Sequence, residues 1–327
     1  MMTIDKITQI LEEWAPLDYA EDFDNVGLLV GDKNDEAKGI LITHDCLAEV
    51  VDEAIEKKCN LIVCFHPIIF KGLQRLSGNS HAEQAVNKAI KNDIAIYAVH
   101  TALDNQVHGV SFGLSQALGL VNTSTLVPKE NTIKKLNFYV PKQQAQEVQN
   151  ALFSVGTGSI GHYDECSFLS EGKGSFRPLE NSNPYVGNRG ERHIEDEVQI
   201  QMVFQKHVES KVIDALISNH PYEKVAYEIS SLSNVNQNIG MGKIGKLPKG
   251  MKVDAFLKFV KDQLGTPVLR HSKIGVKTIE RVAVLGGSGS FAIKAAKKKK
   301  ADAYITADLK YHDFFEGDNN FFLIDAG

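Results

Sequence analysis

The stretch that most constrains the fold is residues 61–70, LIVCFHPIIF. Residues 61–65 form a short, continuous apolar run, which is typical of a strand buried on both faces of a parallel sheet. Pro67 cannot donate a ladder hydrogen bond, so the strand must end near His66. Open α/β sheets bind their ligands at the carboxyl ends of their strands, which makes His66 a candidate site residue. For this histidine alone, a hydrogen bond to a nearby backbone carbonyl is the simpler interpretation.

Length, charge and cysteine content limit the class of protein. A chain of 327 residues is too long for one small core, so two or three domains are expected. The net charge of −5 argues against nucleic acid and anionic membranes as partners. We find no secretory signal pattern and no apolar run of the ~18 residues that a membrane span needs. The four cysteines lack CxxC spacing, which favours a reduced, cytoplasmic protein.

Strands alternate with helices in the first third of the chain. We predict strands at residues 26–30, 38–43, 61–65 and 94–99, and helices at 47–58 and 82–91. This alternation predicts an α/β fold built from βαβ units around a largely parallel sheet. Polar residues follow the strand ends, and their convergence is the main argument for a site. These residues are His44, Asp45, His66, His100 and Asp104.

The pattern changes from about Thr132. Strands at 135–140, 198–204 and 225–229 and helices at 142–154 and 208–218 give a β-α-β…β-α-β order. That order over about a hundred residues predicts a ferredoxin-like α+β insert domain. The β/α pattern then resumes, with a helix at 254–264 and strands at 281–285, 303–307 and 321–324.

Imidazole and carboxylate groups suggest a metal site. This ligand set suits zinc, manganese or iron better than calcium or magnesium. His66, His100 and Asp104 could supply it, with Asp45 or His44 as a further ligand or as support. His100 and Asp104 follow a strand, so we do not expect them to share a helix face. The alternative, that these two residues stabilise a loop, is equally compatible with their spacing.

Two further segments carry polar or glycine-rich motifs at predicted strand ends. The GGSGS of residues 286–290 could bind an anion at a helix start, but a tight structural turn is the better interpretation. The DLKYHD of residues 308–313 offers Lys310 and His312 as phosphate ligands or as general acid and base. An ordinary polar loop is the simpler alternative for this second segment.

Several segments occur together in one order: DFDNVGLLVGD, CFHPIIF, HTALDN, GHYDECSF, HPYEKVAYEI, GGSGS and ITADLKYHD. As a set, from Ile4 to the last residue, they resemble the three-domain bacterial form of the GTP cyclohydrolase 1 type 2 homolog family, also called the NGG-interacting-factor-three-like family. The resemblance implies a two-part α/β core of layered sheets with flanking helices, at residues 1–130 and 241–327. It also implies a PII/CutA-like insert at residues 131–240, a toroidal homohexamer and a two-metal centre in each subunit.

The resemblance assigns metal ligands residue by residue. The family's histidine before proline falls on His66, and the aspartate of its His-Thr-x-Leu-Asp segment falls on Asp104, with His100 beside it. Phe65 stands where the family has the first histidine of a pair. The family continues past Asp-Ala-Gly to a further histidine and glutamate, whereas this sequence stops at residues 325–327. We therefore expect an incomplete ligand set and low occupancy by a divalent ion such as zinc, manganese or iron.

The family resemblance favours a divalent-metal-dependent hydrolase. Its substrate would be a nucleotide or another phosphate-containing ligand, with His312 and Lys310 in catalytic or substrate-contacting roles. Two alternatives remain open at this point, a non-enzymatic metal carrier or sensor and a ring-shaped interaction scaffold.

Overall fold

The computed structural model describes residues 2–327. The chain forms two compact units, one containing the described residues up to Lys129 together with residues 237–327, and the other containing residues 130–236. The predicted insert, residues 131–240, shares residues 131–236 with the second unit. Within the described part of the chain, we find no helix with the length and apolar content needed to cross a bilayer.

Residues 2–129 contribute five α-helices and five strands. Side chains cap two of the helices, because Thr3 accepts from the Lys6 N–H at 3.4 Å and Ser80 from the Glu83 N–H at 3.2 Å. The helices are α1 (Ile4–Trp14), α2 (Ala48–Glu56), α3 (His81–Lys91), α4 (His100–Asp104) and α5 (Val110–Ala117). The strands are β1 (Gly27–Val30), β2 (Ile40–Thr43), β3 (Leu61–Cys64), β4 (Ala95–Ala98) and β5 (Val121–Pro128).

The first sheet has the order β1-β4-β3-β2, with β2, β3 and β4 parallel and β1 antiparallel to β4. Successive side chains of a strand point to opposite faces, and both faces of this sheet are covered. Ile62 and Cys64 pack in one core cluster with Val51 of α2 and Val86 of α3. On the other face, Leu61 and Val63 of β3 pack with Ile4 of α1.

The second unit carries its own sheet and two helices. Its strands are β6 (Ile133–Pro141), β7 (Ser167–Phe176), β8 (His193–Gln205) and β9 (Tyr227–Ser231), and its helices are α6 (Ala145–Ser154) and α7 (Glu209–Asn219). The strand order is β7-β8-β6-β9, and all pairs are antiparallel. The chain order β-α-β-β-α-β and this sheet are those of a ferredoxin-like domain. Apolar residues of β6 and β8, such as Phe138 and Ile200, pack against α6 and α7 on one face only.

Residues 237–327 complete the first unit with β10 (Gly240–Lys252), α8 (Val253–Leu264), β11 (Arg270–His271), β12 (Thr278–Ser288), α9 (Ile293–Lys298), β13 (Ala303–Ala307) and β14 (Phe322–Asp325). Together with β5 they form a six-stranded sheet of order β11-β14-β13-β12-β10-β5. Phe256 of α8 packs on one face of this sheet and Ala296 of α9 on the other.

The α/β fold class is confirmed, and the first sheet is largely parallel as predicted, with β1 as its antiparallel strand. In the six-stranded sheet only β12, β13 and β14 run parallel, while β5, β10 and β11 pair antiparallel with their neighbours. Strands β5, β7, β10 and β11 were not predicted, because their residues lack a regular apolar alternation. The strand β12 also extends to Ser288, so Gly286 and Gly287 lie in a strand and not in a tight turn.

Replacing Gly31, the residue that follows β1, should destabilise the first sheet. Its φ of +101° is one that side-chain-bearing residues rarely adopt, and a Cβ there would lie 2.6 Å from the Cβ of Ala95 in β4. We expect Gly31→Ala to lower the free energy of unfolding by about 1–3 kcal/mol, measured by urea denaturation. Gly72→Ala is the control, since a Cβ there meets no atom within 4 Å. Equal stability of the two variants would contradict the described end of β1.

Candidate metal centre

The pairing of three parallel strands brings polar side chains to one edge of the first sheet. The register places Thr43 beside Cys64, and Cys64 beside Ala98. Backbone hydrogen bonds continue past these strand ends, from the His66 N–H to the His44 carbonyl at 3.1 Å and from the His100 N–H to the Phe65 carbonyl at 3.0 Å. The residues that follow β2, β3 and β4 therefore lie side by side, as the sequence predicts.

His44, Asp45 and His66 form the tightest group of metal-ligating side chains. One ligand atom from each residue lies within 4.8 Å of the others, and no other trio in residues 2–327 meets this criterion. The His66 Nδ1 is 2.8 Å from the Asp45 Oδ1, and the His44 and His66 ring centroids are 4.6 Å apart. All three side chains are substantially exposed to solvent, so a small ion has access to them.

Phe65 lies among these imidazoles. The His44 ring stacks on the Phe65 ring at a centroid distance of 5.2 Å with only 8° between the planes. The Phe65 ring also meets the edges of His66, at 5.0 Å, and His100, at 5.6 Å. The phenyl ring thus fills the space between three histidines.

His100 is held in one orientation by a buried carboxylate. Its Nδ1 is 2.8 Å from the Asp24 Oδ1, and the Asp24 side chain is fully buried. Asp24 also accepts hydrogen bonds from the Thr101 N–H, at 3.1 Å, and from the Thr101 hydroxyl. Burial of Asp24 would raise its pKa, but the hydrogen bonds from His100 and Thr101 outweigh it and lower the pKa to about 2. Asp24 is therefore a carboxylate, and it fixes His100 with Nε2 left for another ligand.

Asp104 lies on the same short helix as His100. The expectation that these residues share no helix was wrong, because residues 100–104 form α4, whose first residue has the unusual φ of +23°. Burial raises the pKa of Asp104 to about 6, with Asp24 adding to the rise and the neighbouring His100 and His66 opposing it. Asp104 therefore lies in the electrostatic environment of these histidines, although it is outside the group within 4.8 Å.

Lys310 and His312 lie elsewhere in the first unit. They follow β13 of the six-stranded sheet, where residues 311–316 form a 3₁₀ helix. Both are exposed, and the Lys310 N–H donates to Asp313 at 2.8 Å. Across residues 2–327, no hydrogen bond, ion pair or ring contact joins either side chain to His44, His66 or His100. Their predicted catalytic role remains a prediction.

The sequence analysis missed Asp24 and Thr101 as parts of the site. Asp24 precedes β1, which pairs antiparallel with β4 so that Gly27 lies opposite Ala98. That pairing places Asp24 next to the first residues of α4. The acidic segment before β1 was visible in the sequence, but the antiparallel neighbour that gives it a role was not.

Comparison with known proteins identifies the family. Residues 2–327 match the family model described as Duf34/NIF3 (NGG1p interacting factor 3). The chain belongs to this family, as its sequence motifs predict.

Curated relatives and solved structures agree with this assignment. A "GTP cyclohydrolase 1 type 2 homolog" of Bacillus subtilis is 42% identical over 308 residues, covering 94% of this chain and 83% of the relative. A protein of the same name from Halalkalibacterium halodurans is 36% identical over 307 residues, with 94% and 82% covered. The crystal structure of a Bacillus cereus protein related to NIF3 aligns with a TM-score of 0.84 at 37% identity, covering 100% of this chain and 88% of that one.

Asp24→Asn should lower the stability of the protein, because Asp24 holds His100 and Thr101 by hydrogen bonds. The amide nitrogen cannot accept the hydrogen bonds that His100 and Thr101 donate to the carboxylate. We expect the free energy of unfolding in urea to fall by about 1.5–3 kcal/mol, the range for buried hydrogen bonds to a charged group. Asp22→Asn removes an exposed carboxylate two residues away and should leave stability unchanged. A similar loss in both variants would show that Asp24 has no special structural role.

Proposed function

We propose that this chain is a divalent-metal-binding protein that acts as a metal-dependent hydrolase. The observation that carries the proposal is the convergence of His44, Asp45 and His66 at the carboxyl edge of a parallel sheet. Parallel α/β sheets bind their ligands at this edge. His100 is next to this group, with its ring centroid 5.3 Å from that of His66.

The donor set fits a transition metal. Two imidazoles and a carboxylate suit zinc, manganese or iron. Zinc–nitrogen bonds of about 2.0–2.1 Å hold neighbouring ligand atoms roughly 3–3.5 Å apart, so the group within 4.8 Å needs only small side-chain rotations. The hydrogen bond between His66 and Asp45 gives the aspartate two available roles, as a ligand or as the group that orients His66.

We infer that His44 replaces the ligand that Phe65 removes. Family resemblance puts a histidine at position 65, and here a phenyl ring stands there. The His44 imidazole stacks parallel to the Phe65 ring, with the two centroids 5.2 Å apart. A ring nitrogen of His44 lies within 4.8 Å of a ring nitrogen of His66, close enough for both to bind one ion. Two histidines and a carboxylate remain available as a consequence, and His100 and Asp104 are the next donors along the edge.

Each residue contributes a definite chemical function in this proposal. His44, His66 and Asp45 hold the ion, while Asp24 keeps the His100 Nδ1 proton in place and so fixes the tautomer. A bound divalent ion would acidify a water molecule and polarise a carbonyl or phosphoryl oxygen of the substrate. A nucleotide substrate is suggested by the name of the curated relatives. The catalytic roles of Lys310 and His312, the nucleotide substrate and the homohexamer remain predictions.

A metal carrier is the second candidate. The His66 and Asp45 side chains are 46% and 57% exposed, and such open ligands favour ion exchange as much as catalysis. A carrier would exchange its metal within minutes and show no turnover of any nucleotide, whereas an enzyme would turn over substrate only with metal bound.

Loss of either histidine should remove the metal. After incubation with zinc, manganese or iron and removal of excess ion, we expect His44→Ala and His66→Ala each to lower metal affinity by at least about tenfold. Metal content per chain, measured by elemental analysis, checks this result. His162→Ala, at an exposed position of the other unit, is the control and should keep the parental metal content.

Retention of metal by His44→Ala would contradict the role of His44 while leaving His66 as a ligand. Retention by both variants would overturn the proposed metal centre altogether. Thermal melts of each variant distinguish lost ligands from a lost fold.

Hydrolysis should depend on the same residues. We expect the metal-loaded chain to hydrolyse GTP and the His66→Ala variant to fall to the metal-free rate, measured by product release. Lys310→Ala and His312→Ala should keep the metal but lower kcat/KM if these residues contact substrate. A metal-loaded chain without turnover of any nucleotide would favour the carrier instead.

A further inference from the structure

The second unit contains a cavity that the proposed metal centre does not use. It has a volume of about 550 Å³, within the range of about 300–1,000 Å³ that small-molecule pockets occupy. All of its lining residues lie between Tyr139 and Ala226. It therefore belongs entirely to the ferredoxin-like unit.

Three strands form the floor of this cavity. Tyr139 of β6 pairs with Gln199 of β8, and Glu197 of β8 pairs with Gly172 of β7. These lining residues alternate with core residues such as Ile200, which packs toward the helices. By the alternation of side chains along a strand, the floor is the face of the sheet that bears no helix.

Aromatic rings form one wall. The Phe176 and Tyr222 ring centroids lie 5.7 Å apart with 61° between their planes, and those of Tyr185 and Tyr222 lie 6.3 Å apart at 50°. Tilted rings make a concave wall, unlike the parallel slot that would hold a flat heterocycle. Concave aromatic walls favour cations, which are attracted to ring faces.

A carboxylate lies beside this wall. The Tyr222 hydroxyl donates to the Glu197 Oε1 at 2.9 Å. Burial, together with this hydrogen bond, raises the pKa of Tyr222, so the phenol stays protonated as the donor. The Glu197 Oε2 accepts no hydrogen bond from any of residues 2–327 and is free to accept one from a ligand.

The other charges of the lining are already paired or lie at the surface. Lys173 binds Asp196 at 2.7 Å and Glu171 binds Lys142 at 2.7 Å. Glu223 accepts from the Asn183 N–H at 3.0 Å, and Lys224 is exposed. Glu197 is thus the lining charge that is best placed to meet a ligand.

We propose that this cavity binds a small amphipathic organic ammonium compound. Its apolar body contacts the rings of Phe176, Tyr185 and Tyr222, and its ammonium group donates a hydrogen bond to the Glu197 Oε2. Recognition depends on both parts, because a neutral ligand of the same shape leaves the Glu197 carboxylate without a counter-charge.

A matched pair of probes tests this proposal on the full chain. Phenethylammonium and 2-phenylethanol have the same shape and differ in charge. We expect calorimetric titration at neutral pH to show the cation binding at least about tenfold more tightly than the alcohol. Glu197→Gln should lower this preference severalfold, since only the attraction of the ring faces remains, whereas Glu147→Gln, which removes an exposed carboxylate of α6, should preserve it.

A further variant displaces the Glu197 carboxylate without removing its charge, and a control variant accompanies it. A Cβ at position 174 would overlap the Glu197 Oε2, so Gly174→Ala should displace the carboxylate and lower affinity for phenethylammonium severalfold. Gly72→Ala is the control, because Gly72 does not line the cavity and a Cβ there meets no atom within 4 Å, so this variant should bind like the parent.

Three outcomes would overturn the proposal. They are equal affinity for the two probes, no binding of either probe, and full cation affinity in a Glu197→Gln variant whose circular dichroism spectrum and melting temperature match those of the parent. Metal content of the first unit is unaffected by any of these outcomes, so this test is independent of the proposed metal centre.

Discussion

The in-register pairing of β2, β3 and β4 is the constraint on which the candidate metal centre depends. Parallel strands paired at Thr43, Cys64 and Ala98 leave the next residues of each strand at one edge. A shift of one residue in β3 would send His66 to the opposite face of the sheet, because successive side chains alternate. The core residues that fix the register, such as Ile62 and Ile96, therefore also fix the positions of the candidate metal ligands.

Helices on both faces keep this register in place. With apolar residues on each side, neither face of β3 can be turned to water without exposing a fully buried side chain such as Leu61 or Ile62. Each such side chain contributes about 1.5–3 kcal/mol through burial. The same arrangement tolerates the unusual backbone of His100, because Asp24 and the Phe65 carbonyl hold that residue by its side chain and its N–H.

The elements best predicted from sequence are those whose stability is local and apolar. The strand Ala303–Ala307 has the predicted bounds, and β3 ends within one residue of its prediction. By contrast, β10 carries the sequence GMGKIGKLPKGMK and is a strand because β5 and β12 flank it. Its Lys243 is buried beside Thr125, and no apolar pattern in the sequence predicts that a lysine is buried there. Predicted site residues from the parallel strands converge, whereas Asp24 was missed because its partner His100 is 76 residues away.

The two proposed sites depend on different kinds of structural evidence. The metal centre uses side chains at strand ends, where the order of parallel strands alone brings distant residues together. The cavity of the second unit lies on the open face of an antiparallel sheet, so its floor is set by the alternation along β6, β7 and β8. An open face next to a complete core can change its side chains at little cost to stability, because the helices cover only the other face. The proposed ligand would give Glu197 and the aromatic wall a role that the helix-covered core does not require of them.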